Sequence, residues 1–193
     1  MILASKSPRR KEILENLGIK IEIDVPDIEE ISDKENIRDM IEDIAYKKCM
    51  AVASNRKNEF VTAADTVVVV DNEILGKPVS EKNAREMLMK LSGREHEVIT
   101  GFCMINIEKN ISIISSDITE VKFKTITEEE LDWYISTKES LDKAGAYGIQ
   151  GNGAVLVEGI KGDFFNVMGF PLHKFIRKTE EKTGLKIEEI LKL

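Results

Sequence analysis

One apolar stretch constrains the fold of this chain more than any other segment. Residues 60–70 read FVTAADTVVVV, and Asp65 and Thr66 interrupt an otherwise apolar run. A run of this kind is typical of buried strand, so we predict either one long strand or a pair of strands here. Asp71-Asn72 follows as a candidate two-residue turn before the sequence EILGKP.

Further strands and helices are predicted around this stretch. Apolar or alternating runs predict strands at residues 1–4, 19–25, 95–107 and 111–124 and in AVLVEGI, residues 154–160. Apolar stripes at helical spacing predict five helices: one with Ser7 as its N-cap and Pro8 as its first residue, one over 36–54, one from its cap Ser80 to about Leu91, one from its cap Thr127 to about Thr137, and one after Pro171. Strands mixed with helices, including one long hairpin, indicate an α/β or α+β fold around a mixed sheet. A chain of 193 residues suits one domain, or two small lobes that share a core.

Charge, cysteine use and missing motifs limit the function classes. A formal net charge of −7 argues against a nucleic acid polymer as partner. No apolar run approaches the roughly 20 residues of a membrane helix, and the N-terminus lacks the order of a signal peptide, so we expect a cytoplasmic protein away from the membrane. Cys49 and Cys103 lie in apolar surroundings without close spacing, as expected for reduced thiols. P-loop, HExxH, CxxC and GxSxG motifs are absent, and we interpret His96 and His173 as structural.

The first predicted helix begins with an unusual concentration of positive charge. Lys6, Arg9, Arg10 and Lys11 surround its first turn, where cations oppose the helix dipole. Backbone N–H groups at this end already attract anions, and arginine matches phosphate oxygens in a two-pronged contact. A bound polyphosphate would therefore reverse the local cost of these charges. The alternative is a solvated basic turn whose side chains point outward.

Two polar groups along the next predicted strands suit the same kind of ligand. A carboxylate near a core is costly unless it is hydrogen-bonded or holds a metal, so Asp65 could bind Mg²⁺ and deprotonate a water. The alternative is an aspartate satisfied by local backbone groups. Lys77, held extended by Pro78, could reach a phosphate, or it could simply be solvated.

A glycine-rich segment, KAGAYGIQG, carries the group best suited to a base. Gly145, Gly148 and Gly151 permit positive φ or close backbone approach. The amide of Gln150, which lies between the last two glycines, can pair with the O4 and N3–H edge of uracil or thymine. The alternative is an ordinary glycine-rich turn with an exposed glutamine.

In their order along the chain, these motifs resemble the Maf family of nucleoside triphosphate pyrophosphatases. The motifs are SKSPRR at 5–10, ADT at 64–66, LGKP at 75–78, LSGR with HEV at 91–98, and AGAYGIQG at 144–151. The resemblance runs from residue 1 to about 176. It implies a single domain over 1–193 with a Maf/ITPase-like fold: an elongated mixed β-sheet flanked by helices, in two lobes with a cleft.

The resemblance also implies an activity: cleavage of a nucleotide to its monophosphate and pyrophosphate, with a divalent cation, Mg²⁺ or Mn²⁺. By similarity, Asp65 would be the proton acceptor that activates water, and Asp65 and Glu30 would hold the metal. Lys48, rather than its neighbour Lys47, matches a family lysine on the second predicted helix. Ser5, Ser7, Arg10 and Lys77 would hold the phosphates, and Lys48 would also bind the substrate.

Three positions decide the subtype. Arg9, Thr66 and Gln150 resemble the branch of the family that acts on dTTP and UTP, whereas the 7-methyl-GTP branch carries a bulky aromatic residue in place of Arg9. Met168-Gly169-Phe170 departs from the usual aliphatic residues but stays apolar, so we expect it only to repack the core. Two alternatives stay open: a nucleotide sensor without hydrolysis, and a pyrophosphatase for a modified purine nucleotide such as 7-methyl-GTP. A homodimer is plausible by similarity.

Overall fold

The computed structural model describes all residues from Met1 to Leu193. Its seven strands are β1 Ile2–Leu3, β2 Glu22–Ile23, β3 Val61–Val70, β4 Glu73–Leu75, β5 Glu95–Asn106, β6 Ile111–Phe123 and β7 Val157–Lys161. Its helices are α1 Pro8–Glu15, α2 Ile37–Ala53, α3 Glu81–Leu91, α4 Glu128–Ser136, α5 Phe164–Met168, α6 Leu172–Thr183 and α7 Ile187–Ile190. Two 3₁₀ turns cover Ala144–Ala146 and Gly151–Leu156. No helix combines the length and the apolar character that a membrane crossing requires.

All seven strands belong to one mixed sheet. Its order is β2-β1-β3-β5-β6-β7, with β4 paired to β3 off this path. β1 runs parallel to both β2 and β3, whereas β4 is antiparallel to β3 and β7 is antiparallel to β6. The predicted α/β class with a mixed sheet is therefore confirmed.

The apolar stretch that includes Asp65 forms the single long strand β3. Its residues are buried along its length except for Asp65 and Thr66, which are half-buried at its centre. Asp71 and Asn72, both at positive φ, make the predicted two-residue turn into β4. β3 thus presents one carboxylate and one hydroxyl at its centre, while its other hydroxyl, that of Thr62, is buried and donates to the carbonyl oxygen of Cys103.

Local capping explains where three of the helices begin. Asn36 Oδ1 accepts hydrogen bonds from the first backbone N–H groups of α2, and Ser80 Oγ accepts one from Asn83 at the start of α3. Thr127 and Glu130 form a reciprocal capping box on α4. The predicted helices at these positions are confirmed to within about two residues at each end.

The chain divides into two compact units. The first comprises Met1–Asp65, Thr100–Asp117 and Gly169–Leu193, and the second comprises Thr66–Ile99 and Ile118–Met168. One core of the first unit packs side chains of β1, α2, β3 and β5: Ile2, Ala4, Ala45, Cys49, Val52, Ala53, Val61, Ala63, Cys103 and Ile105. The core of the second unit is built chiefly from β3, α3, β6 and α4 and includes Val68, Leu88, Phe123, Leu131, Tyr134 and Tyr147.

The structure differs from the sequence-based prediction at two strands. The strand predicted over 19–25 is reduced to Glu22–Ile23, because its partner β1 offers only two residues for pairing. The strand predicted over AVLVEGI begins only at Val157, since the preceding residues belong to the 3₁₀ turn Gly151–Leu156 that starts at a glycine with φ +68°. Helices α5 and α7 were not predicted.

Candidate active site

The loop before α1 holds a serine hydroxyl ready to donate. Ser7 occupies the N-cap position and Pro8 follows it, as predicted, but the Ser7 side chain makes no capping hydrogen bond. Ser5 Oγ instead accepts two hydrogen bonds, from Ser7 N at 3.2 Å and from Arg10 Nη1 at 3.0 Å. With both lone pairs of the oxygen engaged, the hydroxyl hydrogen of Ser5 is left for a ligand.

Arg10 is fixed on its other side by the chain after α5. Its Nε donates to the carbonyl oxygen of Gly169 at 2.8 Å, and Gly169 has φ +106°, a conformation that favours glycine. Burial lowers the pKa of Arg10, the carboxylates of Asp65 and Glu30 raise it, and the neighbouring Arg9 lowers it. Because arginine keeps its charge under such shifts, Arg10 is an oriented cation near two carboxylates.

The second helix places a buried ammonium group between two carboxylates. Lys48 has a side chain only 8% exposed, and its Nζ lies 2.7 Å from Asp65 Oδ1 and 2.9 Å from Glu30 Oε1. Asp65 is 16% exposed and Glu30 is 59% exposed. A buried ammonium is stable only when it is paired, so Lys48 and Asp65 hold each other in place.

Neighbouring contacts fix both α2 and the segment that carries Glu30. A Cβ added at Gly101 of β5 would lie 2.8 Å from the backbone of Ile41, so α2 packs directly on the sheet. Lys47, the neighbour of Lys48, reaches the carbonyl oxygen of Ile31 at 3.1 Å and Asp43 at 2.7 Å. It therefore anchors the loop next to Glu30 rather than pointing toward Asp65.

Asp43 is the second anchor of that loop. Its Oδ2 accepts a hydrogen bond from Ser32 Oγ at 2.6 Å. The hydrogen bonds from Lys47 and Ser32 lower the pKa of the Asp43 carboxyl, so it stays ionised. The loop that follows Glu30 is thereby tied to α2 at two points.

The carboxylates fit a divalent cation that takes further ligands from a substrate. No group of three or more His, Cys, Asp or Glu side chains comes together to hold a metal by itself. Asp65 and Glu30 nevertheless converge on the one ammonium of Lys48, at 2.7 and 2.9 Å. Mg²⁺ is commonly bound by one or two carboxylates together with phosphate oxygens, which matches this donor set.

Arg9 belongs to the first unit, and the other three predicted residues belong to the second. Thr66 is half-buried beside Asp65 on β3, and Lys77 and Gln150 are exposed. Gly145 N donates to the carbonyl oxygen of Gly76 at 3.0 Å. This bond joins the segment that contains Lys77 to the glycine-rich segment that contains Gln150. The two segments were separate motifs in the sequence analysis.

A buried histidine and tyrosine support the glycine-rich segment. His96 Nε2 lies 2.7 Å from the hydroxyl of Tyr147, and the two rings pack edge-on with Phe123. Burial lowers the pKa of His96 to about 4, so the imidazole is neutral at physiological pH. The buried contact agrees with the interpretation of His96 as structural, whereas a role for Tyr147, which lies within the motif AGAYGIQG, was not predicted.

The residues predicted from the sequence lie in both units, and the contacts that hold them were not predicted. The first unit contains Ser5, Ser7, Arg9, Arg10, Glu30, Lys48 and Asp65, and the second contains Thr66, Lys77 and Gln150. Within the first unit, Ser5 contacts Arg10, and Lys48 joins Asp65 to Glu30. The prediction that Met168-Gly169-Phe170 only repacks the core was incomplete, because the carbonyl of Gly169 orients Arg10. The glycine between Met168 and Phe170 was the one sequence feature that could have indicated an unusual backbone conformation at this point.

The chain is similar to known proteins over most or all of its length. A family model described as Maf-like protein matches residues 1–182. The dTTP/UTP pyrophosphatase of Fusobacterium nucleatum subsp. nucleatum is 50% identical over 193 residues, 100% of both chains. That of Clostridioides difficile (strain 630) is 51% identical over 175 residues, 90% of each chain. A solved nucleoside-triphosphatase / dITP/XTP pyrophosphatase from Mycobacterium abscessus is 12% identical, with a TM-score of 0.46 over 100% of this chain and 98% of that one.

The family model covers nearly the whole chain. Each of the two sequence relatives aligns with this chain over 90% or more of its own length. As the order of its motifs predicted, the chain belongs to the Maf family.

Proposed function

We propose that this protein hydrolyses dTTP and UTP to the monophosphate and pyrophosphate, using a divalent cation. Family membership and two relatives named dTTP/UTP pyrophosphatase, at 50% and 51% identity, support the reaction and the substrates. The observation that carries the chemistry is the carboxylate of Asp65, held 2.7 Å from the buried ammonium of Lys48. A carboxylate fixed in this way can accept a proton from water without losing its position.

The triphosphate is proposed to bind at the positive start of α1. The Ser5 hydroxyl has a hydrogen to donate, Ser7 lies at the N-cap, and Arg9 and Arg10 add positive charge at the end of the helix that already attracts anions. A bound polyanion offsets the repulsion among these groups. This explains why the chain places basic residues at a helix end that is already positive.

The proposed reaction adds water across the anhydride bond between the α and β phosphates. The water oxygen bonds to phosphorus, the bridging P–O bond breaks, and the proton released by water passes to Asp65. General-base catalysis of this kind contributes about 10²–10⁴-fold. Lys48, Arg10 and Lys77 stabilise the charge that develops on the phosphate oxygens.

Asp65 and Glu30 are the residues that would hold Mg²⁺ or Mn²⁺. When bound, such a cation supplies charge neutralisation of the phosphates and orientation of the attacking water. Lys48 keeps the two carboxylates together, at 2.7 and 2.9 Å from its Nζ. Lys48 thereby preorganises the oxygen ligands.

The base is proposed to be read by Gln150, with Arg9 and Thr66 contributing to the choice of nucleotide. The Gln150 side chain is exposed, and no hydrogen bond within its own unit uses its amide. An amide without an internal partner can offer its oxygen to N3–H and its nitrogen to O4 of uracil or thymine.

Product analysis on a panel of nucleotides tests the proposal. The purified protein is incubated with Mg²⁺ or Mn²⁺ and dTTP, UTP, CTP, ATP, GTP or a 7-methylated GTP. We expect monophosphate and pyrophosphate, with dTTP and UTP as the preferred substrates. Turnover of a purine nucleotide alone would contradict the substrate assignment. Tight binding without turnover would instead indicate a nucleotide sensor. The cytoplasmic location and the homodimer stay predictions.

A further inference from the structure

A carboxamide recognises a pattern of hydrogen bonds, and two classes of base share the pattern that suits Gln150. Uracil and thymine present the acceptor O4 beside the donor N3–H. Hypoxanthine and guanine present the acceptor O6 beside the donor N1–H, on a larger ring whose edge lies farther from the sugar. The pattern alone therefore does not separate the two classes. Separation requires that the chain hold Gln150 at a fixed place.

The chain closes a tight loop around Gln150, which we call the Gln150 loop, residues 148–153. A Cβ added at Gly153 would lie 2.3 Å from the carbonyl oxygen of Gly148, so the two ends of the loop are in direct backbone contact. Gly151, next to Gln150, has φ +68°. The short span between the closed ends leaves Gln150 little freedom to change its direction.

Glu139, from the segment after α4, clamps the far side of this loop. Its carboxylate accepts the backbone N–H of Asn152, at 3.0 Å to Oε2, and the side-chain amide of Asn152, at 2.7 Å to Oε1. A Cβ added at Gly151 would lie 3.0 Å from Glu139 Oε2, so the carboxylate also packs on the backbone at Gly151. The two residues that follow Gln150 are thus both held by one side chain.

Glu139 is itself anchored. Its carbonyl oxygen accepts a hydrogen bond from Lys143 Nζ at 2.6 Å, and its backbone N–H donates to Thr137 Oγ1 at 3.3 Å, just past the end of α4. On the near side of the loop, Tyr147 is fixed by its 2.7 Å contact with His96. The Gln150 loop is therefore held before Gln150 by the buried pair of Tyr147 and His96 and after Gln150 by Glu139.

We propose that Glu139 is a positioning residue that sets the pyrimidine selectivity of the enzyme by holding Gln150 in place through Gly151 and Asn152. The inference rests on the proposed function, because it assigns a role to Glu139 only if Gln150 reads the base. Glu139 touches no reacting atom. Its loss affects which base is accepted and leaves the proton acceptor in place.

The test compares kcat/KM for UTP with kcat/KM for ITP, whose hypoxanthine carries the same donor and acceptor on a larger ring. Glu139→Ala, Gln150→Ala and the double variant are measured beside the wild type. We expect the UTP-to-ITP ratio to fall on the order of tenfold in each single variant, mainly through KM for UTP. Because Glu139 acts through Gln150, the double variant should lose no more than either single variant.

Two further variants keep the test decisive. Asn152→Ala removes the 2.7 Å bond but keeps the backbone bond to Glu139, so it should lower the ratio about threefold even if Glu139→Ala folds poorly. Glu158→Ala is the matched control, because its carboxylate pairs with Lys122 at 2.9 Å on the sheet and not with the Gln150 loop. It should keep the wild-type ratio.

The outcomes separate the two claims. A wild type that hydrolyses UTP selectively, with Glu139→Ala equally selective or with losses that multiply in the double variant, overturns the role of Glu139 alone. A wild type that does not convert UTP to UMP and pyrophosphate overturns the proposed function and this inference with it.

Discussion

The residue that ties the candidate site together is Lys48. Its ammonium is buried, and it joins two carboxylates from different parts of the chain, Asp65 on β3 and Glu30 in the loop before α2. A polar group placed this way is oriented before any substrate arrives, which is the arrangement that stabilises developing charge most effectively. Its sequence neighbour Lys47 has a more exposed side chain and contacts Asp43 and the carbonyl oxygen of Ile31 instead.

That contrast gives a matched pair of variants. Lys48→Met should lower kcat/KM for dTTP by about 10²-fold, because it removes a preorganised cation beside Asp65. Lys47→Met removes a lysine from the same helix that contacts Asp43 and the carbonyl oxygen of Ile31. The bond from Ser32 to Asp43 still holds the Glu30 loop, so kcat/KM should stay within about threefold of the wild type. Steady-state kinetics on both variants check the prediction. Equal losses in the two variants would refute the special role of Lys48.

Candidate residues of the site could be predicted from the sequence, but the groups that they contact in the fold could not. Asp65 was noticed because a carboxylate interrupts an apolar run, and Lys48 because it matches a lysine of the family that the chain resembles. The bond between Arg10 and Gly169 joins residues 159 positions apart, through a backbone carbonyl that no side-chain pattern reveals. Contacts of this kind depend on how the sheet and helices pack, and local sequence does not record them.

At the scale of elements, α2 owes its position to the absence of a side chain at Gly101. Ile41 of the helix lies so near β5 that a Cβ on Gly101 would come within 2.8 Å of its backbone. Ile41 precedes Lys48 by two helical turns, so both residues lie on one face of α2. The packing at Gly101 thus sets the depth at which Lys48 enters the site.

Gly101→Ala should therefore lower the free energy of unfolding by about 1–3 kcal/mol, since backbone would have to move to admit the methyl group. Gly159→Ala on β7 is the control, because a Cβ there meets nothing within 4 Å. Urea denaturation followed by circular dichroism measures both. A Gly101→Ala protein as stable as the wild type would show that α2 is not held by this contact.

Helix boundaries were easiest to predict where a nearby side chain caps the helix. Ser80 and Thr127 were identified as caps from sequence, and both side chains accept the expected backbone hydrogen bonds. Ser7 stands at the N-cap of α1 without a capping bond. AVLVEGI was misassigned because its β propensity was overridden at Gly151 and Gly153, where the backbone turns and packs on itself.

At the scale of the whole molecule, stability depends on keeping His96 uncharged. The ring is only 3% exposed, and burial lowers its pKa from 6.5 to about 4. As pH falls below 6.5, the unfolded chain takes up a proton that the folded chain does not, so the unfolded state is favoured. The other histidine, His173, is exposed.

The free energy of unfolding should therefore fall as pH is lowered from about 6.5 towards 4, by up to about 3 kcal/mol from this group. Urea unfolding at pH 7.0, 6.0 and 5.0 measures the slope, and the upper part of this range lies above the titration of most carboxylates. His96→Phe should flatten the slope between pH 7.0 and 5.0. An unchanged slope in that variant would assign the effect to other groups.

Asp65 is proposed to accept the proton from the attacking water. The most direct measurement is single-turnover hydrolysis of dTTP by Asp65→Asn, with products identified and dTTP binding measured by calorimetry. Asparagine keeps the shape of the side chain, so binding should be retained while the rate of dTMP and pyrophosphate formation falls by about 10²–10⁴-fold. A variant that binds dTTP and forms both products at the wild-type rate would show that a group other than Asp65 accepts the proton.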